Sequence, residues 1–431
     1  VNRRGTLPLH LTAATLLRIS AEGMATALVL TVEARTGRAA TAGFLQTAAT
    51  LPYVLSGPLI GHALDRVRRP RPIVMTLAVC YAVAAASLLF MAGRSALPLA
   101  LLVAAVIGVT EPVVVALTSL LPRYVPAERL SRAYGLEASS YNVAAIAGPG
   151  LAAALAAATT GTYAGIAVVA SAFVALLALP LLPFPGPTTA GAKRPIAADD
   201  DRADEGKGIV GAVVDAVLGG LSVLVANRVL RALTVATSTA WLGWGGIAIT
   251  AVLLAERLDA EPSAGGQLMV ACAVGSLAGS LASARWLRPP HAERVMVAGL
   301  LAFGVSLAAL AAAPSLPWAL LCFLVAGLCE GPVFTATLVL RQRESPPDRL
   351  GQVNTTGGSL KIGTFAVGAA LTGVLADHLG PVGLVLAIAA CQFTGAALAL
   401  VLLRTPALGR DRDRGRGRPE AAADGGAGPT A

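Results

Sequence analysis

The sequence predicts an all-α membrane protein with twelve transmembrane helices in two six-helix halves. Three observations carry that prediction: the composition, a count of apolar segments, and an internal repeat. The 431 residues are 55% hydrophobic and 13% charged, with a mean hydropathy of +0.72. Soluble domains are about 25% charged, so the composition excludes an ordinary soluble fold.

Segments of roughly 20 apolar residues are long enough to cross ~30 Å of hydrocarbon. Twelve occur, at 7–32, 39–64, 72–93, 97–121, 133–158, 161–182, 229–255, 262–285, 292–313, 315–340, 352–377 and 381–403. The first is not expected to be a cleaved leader, because Arg18 and Glu22 interrupt its middle. Residues 57–72 place Asp65 and four arginines between the second and third segments, the pattern of a short cytoplasmic turn. With the N-terminus inside, the expected cytoplasmic turns and tails hold 27 Lys and Arg, the outer turns 4. That asymmetry predicts both termini on the cytoplasmic side.

The organisation expected is a first half over 1–182, a linker over 183–228, a second half over 229–403 and a disordered tail over 404–431. The linker begins with turn and charge residues and becomes apolar over 208–225, where a helix lying along the membrane surface is expected. The halves echo one another. Gly108-Val109-Thr110-Glu111-Pro112 recurs as Gly327-Leu328-Cys329-Glu330-Gly331-Pro332, and Pro126-Ala127-Glu128-Arg129-Leu130 as Pro346-Pro347-Asp348-Arg349-Leu350. The offsets are 219 and 220, and Gly148 meets Gly368 at the second of them. Two halves of the same orientation follow, as in many secondary transporters.

These residues resemble the major facilitator superfamily over about 7–403. Gly61-x-x-x-Asp65-Arg66-x-x-Arg69 is similar to that family's signature between its second and third spans, with Arg68 where the signature usually has glycine. Gly148-Pro149-Gly150 resembles the Gly-Pro motif of its antiporters, without the second glycine pair. Asn142, together with the segment 215–233, resembles the exporters of enterobactin and macrolides. The resemblance implies a cavity lined by spans 1, 4, 7 and 10. It also implies that Asp65 and Arg66 help to hold the halves together when the outside is open.

Charge within hydrocarbon is costly, by ~2.5–3.5 kcal/mol on insertion scales, and faces a cavity or a partner. Arg18, Glu22, Glu111, Glu330 and Lys361 lie well inside the apolar segments. Most are about ten residues from a cytoplasmic end, ~15 Å deep at 1.5 Å per residue. Two readings stand: a substrate and proton pathway, or structural ion pairs of Glu330 with Lys361 and of Arg18 with Glu22 or Glu111. Two positive and three negative charges leave one carboxylate over, which makes Glu22, Glu111 or Glu330 a candidate proton carrier. His10 and His62 fall near segment ends and are not expected to carry protons.

Trp241 and Trp244 lie near the centre of the seventh segment beside Gly243, Gly245 and Gly246. They fit an aromatic cavity wall or large-against-small helix packing. The net charge of +9 comes with only 4% aromatics and no basic stripe, so nucleic acid is not an expected partner. The five cysteines form no C-x-x-C pair, and neither metal nor cofactor is expected. No phosphate-binding G-x-x-x-x-G-K-[ST] and no nucleophile with its base occurs, so an ATP-driven pump or an enzyme is not expected.

The expected function is secondary active transport: proton-coupled export of a small amphiphilic drug or natural product. The alternatives are a proton-coupled nutrient importer and a non-transporting membrane receptor. The expected setting is the inner membrane of a bacterium, as a monomer, with lipid, protons and a small-molecule substrate as partners.

Overall fold

The computed structural model describes residues 6–36, 39–67, 69–159, 163–184, 209–261 and 264–405. The charged part of the linker, Arg68 and the expected disordered tail beyond Thr405 lie outside them. Among the described residues nine helices are long and apolar enough to cross a membrane. The first half contains α1 (Thr6–Thr36), α2 (Ala39–Arg66), α3 (Pro70–Met91), α4 (Leu97–Thr110), α5 (Val113–Ala116), α6 (Ala127–Thr159) and α7 (Ile166–Ala178). A linker helix, α8 (Ile209–Ala226), precedes α9 (Arg228–Trp244), α10 (Ile247–Arg257), α11 (Ala264–Trp286), α12 (Ala292–Ala308), α13 (Leu316–Glu344) and α14 (Leu350–Arg404).

The twelve expected spans map onto these helices, and the departures have local causes. Pro112 splits the fourth span into α4 and α5, because proline lacks the amide proton that helix continuation needs. Gly245 and Gly246 divide the seventh into α9 and α10. Within α14, Gly380 has φ 60°, which separates the eleventh span from the twelfth. Three spans miss the length and apolarity test. They are α2, with Pro52, Pro58 and several polar residues; α7, of 13 residues; and the divided α9–α10.

The sequence repeat is a packing repeat. Gly148 of α6 lies against the backbone of α1 at Ile19 and Gly23, and Gly368 of α14 lies against the backbone of α9 at Leu242. A side chain at either place would collide with main-chain atoms, so the two halves close on the same kind of contact.

Val67 and Arg69 and the turns 124–126, 287–291 and 345–349 gather at one end of the bundle, with Arg66, Arg123, Arg288, Arg343 and Arg349 around them. At this basic end the halves share one apolar cluster, in which Leu121, Leu130 and Tyr134 pack with Leu287, Met296, Val339 and Val353. Two further clusters belong to one half each, within residues 13–182 and 247–389. Helix α8 meets α9 at a bend of 106° and touches α2 and α14, so it crosses the basic end. Asn227 makes that corner: its side chain accepts from Val229 N (2.8 Å) and Leu230 N (3.2 Å), and its amide donates to Glu344 Oε2 (3.1 Å).

Candidate functional site

Contacts between the halves run along two seams in the basic half of the molecule. On one, the Asp65 carboxylate accepts from Gly351 N and Gln352 N, both at 2.8 Å, at the start of α14. A carboxylate on the free amides of a helix N-terminus is favoured by hydrogen bonding and by the helix dipole. Gly61 lies against Gly351 and Thr355, Gly57 against Ser359, and Ser359 Oγ donates to Tyr53 O at 3.5 Å. Arg123 Nη2 donates to Leu64 O (3.1 Å) beside Asp65. Arg66 and Arg69 of the same signature are exposed. On the other seam Ser131 Oγ donates to Leu287 O (2.6 Å), and Asn142 Nδ2 donates to Ser280 Oγ (3.0 Å). Pro149 follows Gly148 at the point where α6 packs on α1.

Above these seams the interior opens. On α1 no residue from Ala13 to Ala21 is exposed, whereas Glu22, Val29 and Glu33 are, in steps of seven and four that mark one helix face. Glu22 is exposed, and Val29 and Glu33 continue its face of α1 toward the end opposite the basic one. Glu111 lies within electrostatic reach of Glu22. Neither carboxylate has a hydrogen-bond or ion-pair partner among the described residues.

Arg18 lies one turn below Glu22 and is 1% exposed. Its partner is Glu137 of α6, 0% exposed, at 2.5 Å, and not Glu22 or Glu111 as the ion-pair reading expected. Geometry explains the choice. The guanidinium points into the half, where it also donates to Ser140 Oγ and Thr118 Oγ1 (3.1 Å) and stacks 3.6 Å over the Tyr141 ring. Thr118 Oγ1 donates to the same Glu137 oxygen at 2.8 Å. His10, not expected to carry protons, stands in this network. Its Nε2 is 3.4 Å from Glu137 Oε2 and its Nδ1 is hydrogen-bonded to the Tyr124 hydroxyl.

In the second half Trp241, Trp244, Glu330 and Lys361 converge on one cavity of about 40 Å³, which Phe334 and Gln392 also line. The tryptophans therefore serve as a wall: Trp241 meets Phe365 at 5.8 Å and Trp244 meets Phe303 at 5.3 Å between ring centroids. Glu330 and Lys361 do not form the expected ion pair. Ser276 Oγ donates to the Glu330 carboxylate, while the Lys361 ammonium sits 4.0 Å above the Trp241 ring and 5.1 Å from that of Phe334. A desolvated cation on an aromatic face gains about 2 kcal/mol.

Glu137 and Arg341 are the charged groups that segment counting missed. Glu137 is close to the beginning of its apolar segment and Arg341 falls just past the end of its own, so both read as flanks. Glu137, Tyr141 and Gly148, spaced by four and seven, already mark the face of α6 that meets α1.

A twelve-span bundle of two like halves, closed at one end over a charged, aromatic interior, defines a membrane protein of the transporter class. The profile of the Major Facilitator Superfamily matches residues 11–356 and, again, 233–427. The chain belongs to that superfamily. It is 26% identical over 372 residues, 85% of this chain and 87% of the relative, to the uncharacterized MFS-type transporter y4rN of Sinorhizobium fredii. It is 27% identical over 364 residues, 80% and 82% of the two chains, to the multidrug efflux pump Tap of Mycolicibacterium fortuitum. Among solved structures the fold resembles the human organic anion transporter MFSD10, with a TM-score of 0.71, 16% identity, and 94% and 99% of the chains covered. A bacterial homologue of the iron transporter ferroportin in its outward-facing state gives 0.68, 16% identity, and 92% and 99% coverage.

Proposed function

We propose that the chain is a proton-coupled exporter of a small amphiphilic molecule, with its basic end in the cytoplasm of a bacterium. The observation that carries the coupling is the pair Glu22, exposed, and Glu111, half-buried and within its electrostatic reach, neither with an ion-pair partner among the described residues although Arg18 lies near Glu22; we place both at the edge of the transport cleft. Arg18, the near cation, is bound to Glu137. Neighbouring carboxylates without a counter-ion are a place to hold a proton, and a proton there is released or replaced when the cleft changes sides.

Orientation rests on the arginine asymmetry of the turns. With the basic end inside, the seams at Asp65 and Asn142 close the cytoplasmic side and the Glu22 cleft faces outward. Export is favoured over import by the span-5 residues Asn142, Gly148 and Pro149 and by the likeness to the pump Tap. The bundle is read as working alone, as a monomer in the lipid bilayer, without a cofactor.

An accumulation assay in cells stripped of their own pumps tests this. Expressing cells should hold less of a pumped antibiotic or siderophore than control cells, and a protonophore should abolish the difference. Higher accumulation on expression would make the protein an importer, and equal accumulation across a broad panel would remove the transport reading.

A further inference from the structure

We propose that the cavity beside Lys361 is a head-group site for an oxyanion, a carboxylate or a group of that size, carried by an amphiphile whose apolar part lies on Trp241 and Trp244. Lys361 is 8% exposed, and its ammonium meets two ring faces but forms no ion pair with a carboxylate among the described residues. Ring faces satisfy the charge in part and leave its three N–H donors without an oxygen acceptor. A second cation stands close by. Arg341 is 4% exposed, its Nε and Nη2 have no partner, and it packs on Gly357, one turn before Lys361.

The only carboxylate lining this cavity, Glu330, is held by Ser276. Against the one negative charge of Glu330, which acts electrostatically on Lys361, the two cations Lys361 and Arg341 leave one positive charge over in the interior of a membrane bundle, where an uncompensated cation is costly. An anionic ligand removes that cost. Gln392, 0% exposed, also lines the cavity: its Nε2 donates to Ala240 O at 2.9 Å, and its Oε1 is an acceptor without a donor, which would take an N–H or O–H of the ligand and not its oxyanion.

Size and depth narrow the occupant. A cavity of about 40 Å³ takes a head group, and the remainder of the molecule extends along the aromatic wall. Lys361 is eleven residues from the start of α14, about 16 Å along the helix, which is too deep for a bilayer lipid's head group.

The experiment compares three probes of one shape on the full-length protein in neutral-lipid nanodiscs: 1-naphthoate, 1-naphthamide and 1-naphthylmethylammonium, by equilibrium dialysis. The carboxylate is expected to bind at least about tenfold more tightly than the other two. Lys361→Gln should erase the preference and Lys361→Arg should keep it. The proposal is overturned if the ammonium or the amide binds as well as the carboxylate, or if no carboxylate binding appears at millimolar concentration. The comparison among probes is made on the native chain, so it stands even where a Lys361 variant fails to fold. This inference rests on the transport reading only for what becomes of the occupant. If proteoliposomes move none of the probes while the carboxylate preference holds, the transport reading fails and the site stands. If they move the ammonium in preference to the carboxylate, transport stands and the site is overturned.

Discussion

Tyr141 of the first half and Phe334 of the second meet edge to face, with ring centroids 5.2 Å apart, and so join two buried cations across the centre of the molecule. Arg18 stacks on Tyr141 at 3.6 Å and Lys361 lies 5.1 Å from Phe334. In the proposed transport cycle, a rocking of the halves that separates these rings would be opposed by their contact.

Phe334→Ala should weaken that opposition. An edge-to-face pair contributes about 0.5–1.5 kcal/mol, enough to shift a two-state population by up to about tenfold. Spin labels at the exposed positions Arg69 and Arg349, on either side of the basic-end seam, should report a larger fraction of long distances. An unchanged distribution would remove the ring pair from the closure.

Asp65 should matter more, because it makes two charge-assisted hydrogen bonds across the same seam. Each contributes about 1.5–3 kcal/mol, so Asp65→Ala should open the basic end further than Phe334→Ala. Asp65→Asn, which keeps one carbonyl acceptor, should fall between them. Transport should drop in the same order while the amount of protein in the membrane stays normal.

Arg18 and Glu137 form a buried ion pair within the first half, and its expected contribution is to stability. Arg18→Ala strands the Glu137 carboxylate in a dry site and should destabilise the protein by about 3–5 kcal/mol. Replacing both at once, as Arg18→Met with Glu137→Leu, should recover much of the loss. Thermal unfolding of the purified variants in detergent checks the order. A double variant no better than Arg18→Ala would show that the pair is not the unit responsible.

Much of this architecture was legible in the sequence, because a membrane span must be long, apolar and internally hydrogen-bonded. Gly148 and Gly368 were legible as a repeat and not as contacts; both lie where a helix backbone approaches too closely for a side chain. Trp241 and Trp244 were legible as an aromatic cavity wall or as helix packing; that Glu330 and Lys361 line the same cavity without pairing was not. Partner choice was not legible. Nothing in a linear chain says that Arg18 turns toward Glu137 and away from Glu22, because that depends on the rotation of α1 about its axis and on the place of α6 beside it. His10 was set aside for its position near a segment end, yet α1 buries it against Tyr124.

The pseudo-symmetric glycines give a paired expectation. Gly148→Leu and Gly368→Leu should each lower the yield of folded protein sharply, because the added side chain meets main-chain atoms of α1 or α9 that cannot move aside. Gly150 and Gly363, with open space around them, should accept the same change with little effect on size-exclusion profiles.

The central claim is that an unpaired carboxylate at Glu22 or Glu111 couples proton flow to export. It is tested most directly in proteoliposomes carrying Glu22→Gln, Glu111→Gln or both, loaded with a transported substrate from the accumulation panel. Substrate exchange at equal pH is then compared with net movement driven by an imposed pH gradient. The double variant should keep exchange and lose gradient-driven movement. Full gradient-driven movement in the double variant would contradict it.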